Sequence, residues 1–213
     1  SPDGAWRADG INYAGDDFAM KGAAAIDQER GAIELDLAYS GAGKAEPWPG
    51  LPLVGDFTIK GAIARGGAAN RLIISSGALV SKDWSVQQLN SIIEGPSKNL
   101  SIKATAGVVV VKGAPPIRDF SAEMSASIDK SIALRMTKLS GDLAGAEVAL
   151  SEPAAITFDN GVAIRNFKAA IGRSGSIVID GAISKKRWRG EIVARQAPIL
   201  SAASVIDLDV DLD

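Results

Sequence analysis

The sequence contains no cysteine and no histidine. Without cysteine, it can form no disulfide, no thiolate nucleophile and no thiolate metal site. Without histidine, it lacks the commonest general base at neutral pH and the commonest metal ligand, so neither a Ser-His-Asp nor a Cys-His arrangement can form. We therefore expect that the protein is not an enzyme and that it needs no metal and no cofactor.

The sequence also has no large surplus of either charge, few aromatic residues and no long apolar run. The 213 residues include 23 basic and 25 acidic ones, which argues against a nucleic-acid-binding protein because such proteins usually carry a basic surplus. Aromatic residues make up only 5% of the chain, so Ala, Ile, Val and Leu supply most of its apolar surface. No apolar run reaches the roughly 18 residues of a membrane span, and no signal peptide begins the sequence. The abrupt start and end indicate a fragment of a longer protein.

Alternation of apolar and polar residues is the dominant pattern. It is clear in residues 205–213 (VIDLDVDLD), 32–39 (AIELDLAY) and 120–136 (FSAEMSASIDKSIALRM), the last with a turn expected at Asp129-Lys130. A period of two places successive side chains on opposite faces of a strand. One-sided alternation of this kind is typical of antiparallel strands that have one face in water.

Five segments are similar to one another and indicate a repeat of about forty residues. Residues 55–63 (GDFTIKGAI) match 175–183 (GSIVIDGAI) closely, and 16–24, 99–107 and 135–143 match less well. The position shared by all five is small, and its spacing is about 37 to 43 residues. The five anchoring residues are Gly22, Gly61, Ala104, Gly141 and Gly181.

Residues 83–95 (DWSVQQLNSIIEG) fit two structures. Val86, Leu89 and Ile93 have helical spacing, with Asp83 as a possible N-cap. The same segment aligns with residues 160–172, upstream of another copy of the repeat. The alignment favours a strand that contains a bulge, and a short helix is the alternative.

These features predict an all-β fold in a single repetitive domain over residues 1–213. Units of three to four strands would give roughly 15 to 20 strands. Open sheets of that size curl, so the sheet must close on itself, stack as a solenoid or fold lengthwise into a trough. We expect a long curled antiparallel or mixed sheet with a hydrophobic trough.

Two charged clusters have a structural and a functional interpretation. The alternate aspartates of residues 207–213 lack the glycine turn and closing glutamate of a calcium loop, which favours a solvated strand face. Residues 184–190 (SKKRWRG) form the one dense basic cluster. An exposed hairpin turn is one interpretation, and contact with anionic lipid headgroups is the other; the residues concerned are Lys185, Lys186, Arg187, Trp188 and Arg189.

Residues 149–213 resemble the repetitive β region of the TamB family, within the AsmA-like group of bacterial envelope proteins. The resemblance lies in the order of a D-N-G turn, a strand near Phe167, the pattern G-x-I-x-I-x-G-x-I, a polar hairpin, a strand and A-P-I-L-S-A. It extends more weakly over residues 16–148. The motif consists of turns and alternation, without invariant catalytic chemistry.

The resemblance implies a location and partners. Such proteins are anchored in the inner membrane of Gram-negative bacteria and span the periplasm. Their folded trough, a "β-taco", has a hydrophobic interior. They are linked to phospholipid transport between the membranes and to outer-membrane biogenesis, as part of a translocation and assembly module with an outer-membrane partner of the Omp85 type, similar to TamA.

Our leading hypothesis is a trough that shields lipid acyl chains from water. Its expected lining residues are Phe57, Ile59, Ile102, Ile177, Ile179, Leu208 and Val210. One alternative is a scaffold or chaperone that templates outer-membrane strands, such as those of autotransporters, by edge pairing. Another is a β-solenoid adhesin or structural segment, which would have a tightly packed interior.

Overall fold

The computed structural model describes residues 5–15, 18–27, 31–42, 54–64, 70–96, 98–128, 131–159, 161–184, 187–195 and 204–211. For residues 5, 27, 42, 183–184, 187–188 and 204–211 it describes the backbone alone. Within these ranges the chain forms strands and turns and no helix. In that part of the chain no helix is therefore long and apolar enough to cross a membrane.

The strands follow the alternating segments of the sequence, because alternation allows one face to be buried while the other stays in water. They are β1 (Ala5–Ala14), β2 (Phe18–Asp27), β3 (Ala32–Ala42), β4 (Val54–Ala64), β5 (Asn70–Val80), β6 (Trp84–Gly95), β7 (Leu100–Val111), β8 (Ile117–Ile128), β9 (Ile132–Leu143), β10 (Ala146–Leu150), β11 (Ala154–Phe158), β12 (Val162–Ile171), β13 (Gly175–Ser184), β14 (Arg187–Arg195) and β15 (Ser204–Asp211).

All described strands belong to one antiparallel sheet, in which chain neighbours are also sheet neighbours, with the exception of β10 and β11. The short strands β10 and β11 share one position between β9 and β12, with residues 151–153 between them. Among the described strands, β1 pairs with β2 alone and β15 with β14 alone, so the sheet is open at both edges. The prediction of an all-β chain in one long sheet is confirmed, and the sheet is antiparallel rather than mixed.

The alternatives for residues 83–95 are resolved. The segment forms β6, paired with β5 and β7 along its length, and Gln88 within it has a left-handed backbone with φ of 54°. This is the predicted strand with a bulge. The helical spacing of Val86 and Leu89 has a simple cause, because one inserted residue moves the next inward-facing side chain from two positions away to three.

Bulges occur at matching positions in neighbouring strands. Between β4 and β5, Phe57 pairs with Ser76 and Gly55 with Leu79, so two residues of β5 oppose one of β4. The strands β6, β7 and β8 contain the same extra residue, so no register shift separates them from β5 or from one another at this position. The register shifts again between β8 and β9. Bulges bend a strand and increase its twist. A line of them across adjacent strands therefore bends the sheet, in keeping with the predicted curl.

The forty-residue repeat is not confirmed as a structural unit. Gly22 and Ala104 lie in the same row of paired residues as Ile59. Gly61 lies in the adjacent row, which contains Ile102. Successive copies therefore do not stack in register, because bulges and turns of unequal length shift each copy along the strands.

Candidate functional site

The candidate site is one entire face of the sheet, which we call the apolar face. Residues directly opposite one another on antiparallel strands project to the same side, so the register assigns strand residues to faces. Two rows of paired residues define the centre of the apolar face. They are Leu35, Gly61, Leu72, Ile93, Ile102, Met124 and Met136, and Leu37, Ile59, Ile74, Ser91, Ala104, Ala122 and Leu139.

Charged side chains lie on the opposite face, which we call the polar face. In the described strands, every paired Asp, Glu, Lys and Arg with a described side chain is assigned there by the register. Several form ion pairs between adjacent strands, including Lys60–Asp36 at 3.3 Å and Arg71–Glu94 at 3.1 Å. A register slip of one residue would turn these charges onto the apolar face, so this segregation specifies the register.

Arg165 of β12 and Asp180 of β13 form the shortest of these ion pairs, with Nη1 and Oδ1 2.5 Å apart. The hydrogen bond from Arg165 lowers the pKa of the Asp180 carboxyl, and the backbone N–H of Asn166 contributes to the same effect. Both side chains are well exposed. Because solvent screens such a pair, it contributes little stability.

The apolar face is only partly filled. Large side chains at its centre, such as Ile59, Ile102 and Ile179, are half-buried. No large side chain in the described part of the chain is fully buried. A close-packed interior of this size would bury many such side chains completely. The apolar face is therefore accessible over much of its length.

One end of the apolar face does form a core. Leu143, Val148, Ala169 and Ile171, from β9, β10 and β12, are buried together. A cavity of about 220 Å³ adjoins them, and all of its described lining residues are apolar. Val109 of β7 and Ile177 of β13 both line this cavity although three or more strands separate them in the sheet. The sheet must therefore curl around the cavity.

An aromatic ladder crosses β1 to β4 on the apolar face. The rings of Tyr13, Phe18, Tyr39 and Phe57 stack in that order, with centroid separations of 4.9, 5.8 and 4.7 Å. Tyr39 is buried, and burial raises the pKa of its hydroxyl. Sequence reasoning named only Phe57 among these rings. The third position of two repeat copies, occupied by Phe18 and Phe57, was the signal for Phe18, and the alternation of residues 32–39 was the signal for Tyr39.

Exposed apolar side chains mark one rim of the same face, where β2, β4 and β8 end. Ile26, Ile33 and Ile63 are directly paired and all exposed. A second exposed group on this rim consists of Ile128, Ile132 and Phe158, which are also directly paired. The apolar face is thus open to solvent along this rim.

The structure places the described members of the predicted trough lining on one face. Ile59 and Ile102 lie in the two central rows, and Phe57 lies in the aromatic ladder. Ile179 pairs with Phe167 and Ile192, and Ile177 pairs with Ala169 beside the core cluster. The backbone of Leu208 pairs with Gly190 and that of Val210 with Trp188. The side chains of Leu208 and Val210 lie outside the described part, so their contribution stays a prediction.

The predicted basic cluster is described only in part. Lys185 and Lys186 lie outside the described residues, and the backbones of Arg187 and Trp188 belong to β14. Arg189 is exposed and pairs with Ala182 on the polar face. Headgroup contact by this cluster stays a prediction.

Acidic side chains in the described part of the chain form no group of three or more that could hold a metal ion. Asp207, Asp209 and Asp211 of the predicted run lie in β15, whose side chains are outside that part, and Asp213 lies outside the described residues. The backbone register of β15 places Asp209 opposite Arg189 and Asp211 opposite Arg187.

Comparison with known proteins gives no relative from which a function could be transferred. No protein-family model matches the sequence, and no curated protein matches it. No solved structure matches the fold either. The candidate function therefore depends on the two faces of the sheet and on the resemblance described above.

Proposed function

We propose that this chain is a non-catalytic binding module whose apolar face forms a trough that shields lipid acyl chains from water. The observation that carries the proposal is the segregation of charge, since paired charged residues with described side chains lie on the polar face. A continuous uncharged face of half-buried Ile, Leu, Val and Met suits an occupant that has no hydrogen-bonding groups.

The energetics favour such an occupant. Soluble monomers rarely expose apolar patches larger than a few hundred Å², whereas here the apolar face extends from β1 to β14 in the described part of the chain and reaches an exposed rim at Ile26, Ile33 and Ile63. Each methylene group moved from water onto such a surface gains about 0.8 kcal/mol. A continuous apolar track therefore lowers the free energy of an acyl chain outside a bilayer.

The resemblance to the TamB family supplies the cellular setting of the proposal. We place the module in the periplasm of a Gram-negative bacterium, as part of a longer protein anchored in the inner membrane. There it would support phospholipid transport between the two membranes and outer-membrane biogenesis, with an outer-membrane partner of the TamA type. The ligand is a phospholipid or another molecule with acyl chains.

The test is a charge placed on either face of the same strand. Ile179→Asp puts a carboxylate on the apolar face, and we expect it to abolish lipid passage while the chain stays folded. Val178→Asp is the matched control, because Val178 lies on the polar face and pairs with Lys168 and Val193. Mass spectrometry would measure the lipid retained by each purified variant, and an envelope-integrity assay would measure passage. Full activity of Ile179→Asp would refute the trough.

A second candidate, a scaffold that templates outer-membrane strands, is favoured by the open edges of the sheet. β1 pairs only with β2 among the described strands, so its outer edge offers unpaired backbone groups to an incoming strand. Photocrosslinkers at Ile179 and at Asn12 in β1 separate the two candidates. Lipid adducts at Ile179 support the trough, and protein adducts at Asn12 support the scaffold.

A further inference from the structure

The Tyr39 hydroxyl is a buried polar group that has no hydrogen-bond partner among the described residues. Tyr39 is 5% exposed, and its hydroxyl oxygen has no hydrogen-bond partner in the described part of the chain. Tyrosine hydroxyls usually find a partner when they are buried, since leaving one unpaired is unfavourable. The exception on the apolar face therefore needs an explanation.

The other buried polar side chains that the structure describes on this face, Asn70 and Ser76, have hydrogen-bond partners. The Oδ1 of Asn70 accepts a hydrogen bond from the backbone N–H of Ala64, and its Nδ2 donates one to the carbonyl oxygen of Gly95, each at 2.8 Å. The Oγ of Ser76 donates to the carbonyl oxygen of Asp56 at 2.6 Å. Asn70 and Ser76 thus have hydrogen-bond partners in the described part of the chain, whereas the hydroxyl of Tyr39 has none there.

Two neighbouring rings hold the side chain of Tyr39 in place. Its ring stacks on Phe18 with a centroid separation of 5.8 Å and on Phe57 with one of 4.7 Å. Tyr39 also lies near the end of β3, close to the edge of the apolar face opposite the rim of Ile26 and Ile33. A ligand group bound to it would therefore lie near this edge of the apolar face.

The chemistry of that group follows from its surroundings. A neutral tyrosine hydroxyl can donate a hydrogen bond to an acceptor. A carboxylate or phosphate acceptor would be buried without a counter-charge, because paired charged residues with described side chains lie on the polar face. A carbonyl oxygen accepts the hydrogen bond without adding a charge. In an acyl lipid, that oxygen belongs to the ester that joins the apolar chain to the polar headgroup.

We propose that the Tyr39 hydroxyl donates a hydrogen bond to the ester carbonyl oxygen of a bound acyl lipid, so that the trough selects ester-linked over ether-linked chains. This inference rests on the proposed lipid-binding function and adds a specificity-determining residue to it. Because the hydroxyl is buried, the groups that cover it must move aside for the carbonyl to reach it, and this movement breaks no hydrogen bond between Tyr39 and the described residues.

The experiment compares Tyr39→Phe with wild-type protein and with Tyr13→Phe. Tyr39→Phe removes the hydroxyl and keeps the stacked ring. Tyr13→Phe makes the same change in the same aromatic ladder, at a residue that is 51% exposed. Each protein is incubated with equal amounts of a diester phosphatidylcholine and its diether analogue with identical chains, and mass spectrometry measures what it retains. Thermal unfolding checks that all three proteins are folded.

We expect wild-type protein and Tyr13→Phe to retain the ester lipid over the ether lipid by about three- to tenfold, the range for one neutral hydrogen bond. Tyr39→Phe should retain the two equally. Equal retention by the wild-type protein, or an unchanged ratio in Tyr39→Phe, would overturn the role of Tyr39 and leave the lipid trough intact. Retention of neither lipid by the wild-type protein would overturn both proposals.

Discussion

Gln88 in β6 and Asn166 in β12 have the same left-handed backbone conformation, with φ of 54° and 56°. Each lies just before an aromatic or aliphatic side chain of the apolar face, Leu89 after Gln88 and Phe167 after Asn166. At Asn166 the register shifts between Ile164 and Phe167, which identifies a bulge. Two distant strands therefore use the same device to bend while keeping their apolar side chains on one face.

The first prediction concerns this conformation. Asn166→Val should lower the free energy of unfolding by about 1–3 kcal/mol, because a β-branched residue is strained at positive φ. Asn166→Gly should change it by less than about 1 kcal/mol, because glycine adopts this conformation freely. Urea denaturation measures both, with Ala163→Val in the same strand as the control. Equal effects of valine and glycine at residue 166 would show that the bulge is not under strain.

The second prediction concerns close approach between β4 and β5. Gly61 has φ of 136°, and a Cβ atom there would lie 1.9 Å from the carbonyl oxygen of Arg71. Gly61→Ala should therefore cost about 2–4 kcal/mol of stability through overpacking and backbone strain. Gly77→Ala, where an added Cβ meets no atom within 4 Å, is the control and should change stability by less than about 1 kcal/mol. Denaturant titration compares the two, and similar losses would contradict the close contact.

The third prediction separates the core from the open part of the apolar face. Ile171 is 2% exposed within the core cluster, so Ile171→Ala should lower the free energy of unfolding by about 2–5 kcal/mol. Ile102 is half-buried, and Ile102→Ala should cost less than about 2 kcal/mol. Both values come from chemical denaturation. An equal cost at the two sites would mean that the apolar face is a filled core.

The fourth prediction concerns pH. Because the pKa of Asp180 is lowered in the folded state, its ion pair with Arg165 stabilises the fold above the unfolded-state pKa of about 3.9 and is lost as pH falls through the folded value. The contribution should be about 0.2–1 kcal/mol, since both side chains are exposed.

Asp180→Asn should remove this part of the acid sensitivity. The measurement compares the free energy of unfolding of the two proteins at neutral pH and well below the unfolded-state pKa. Because solvent screens the pair, added salt should narrow the difference between them. If both proteins lose the same stability on acidification, the ion pair makes no contribution.

Much of the local structure could be predicted from the sequence. The alternation in residues 32–39 and 120–136 corresponds to β3, β8 and β9, with the charged positions on the polar face. The alignment of residues 83–95 with 160–172 predicted a bulge without locating it, and the structure places it at Gln88, whose partner position in the alignment is Asn166. Side-chain direction in a strand has a period of two, so these features depend on nearby residues alone.

Relations between strands were less predictable. The anchoring residues Gly22 and Gly61 look equivalent in the sequence, yet they occupy adjacent rows of the sheet. The aromatic ladder and the burial of Tyr39 within it depend on the register of four strands. A shift of one residue in any of them would separate these side chains, and register depends on turns and bulges far apart in the chain.

The absence of cysteine and histidine was set by the sequence alone, and so was the alternation within each strand, because composition and side-chain direction are local properties. Only the tertiary structure decided where the apolar face is packed and where it stays open. Leu143 and Ile171 are buried because the sheet curls there, while Ile26 and Ile33, equally apolar, remain exposed at the rim. Burial depends on which distant strands the bulges and the register bring together, and that is a property of the whole sheet.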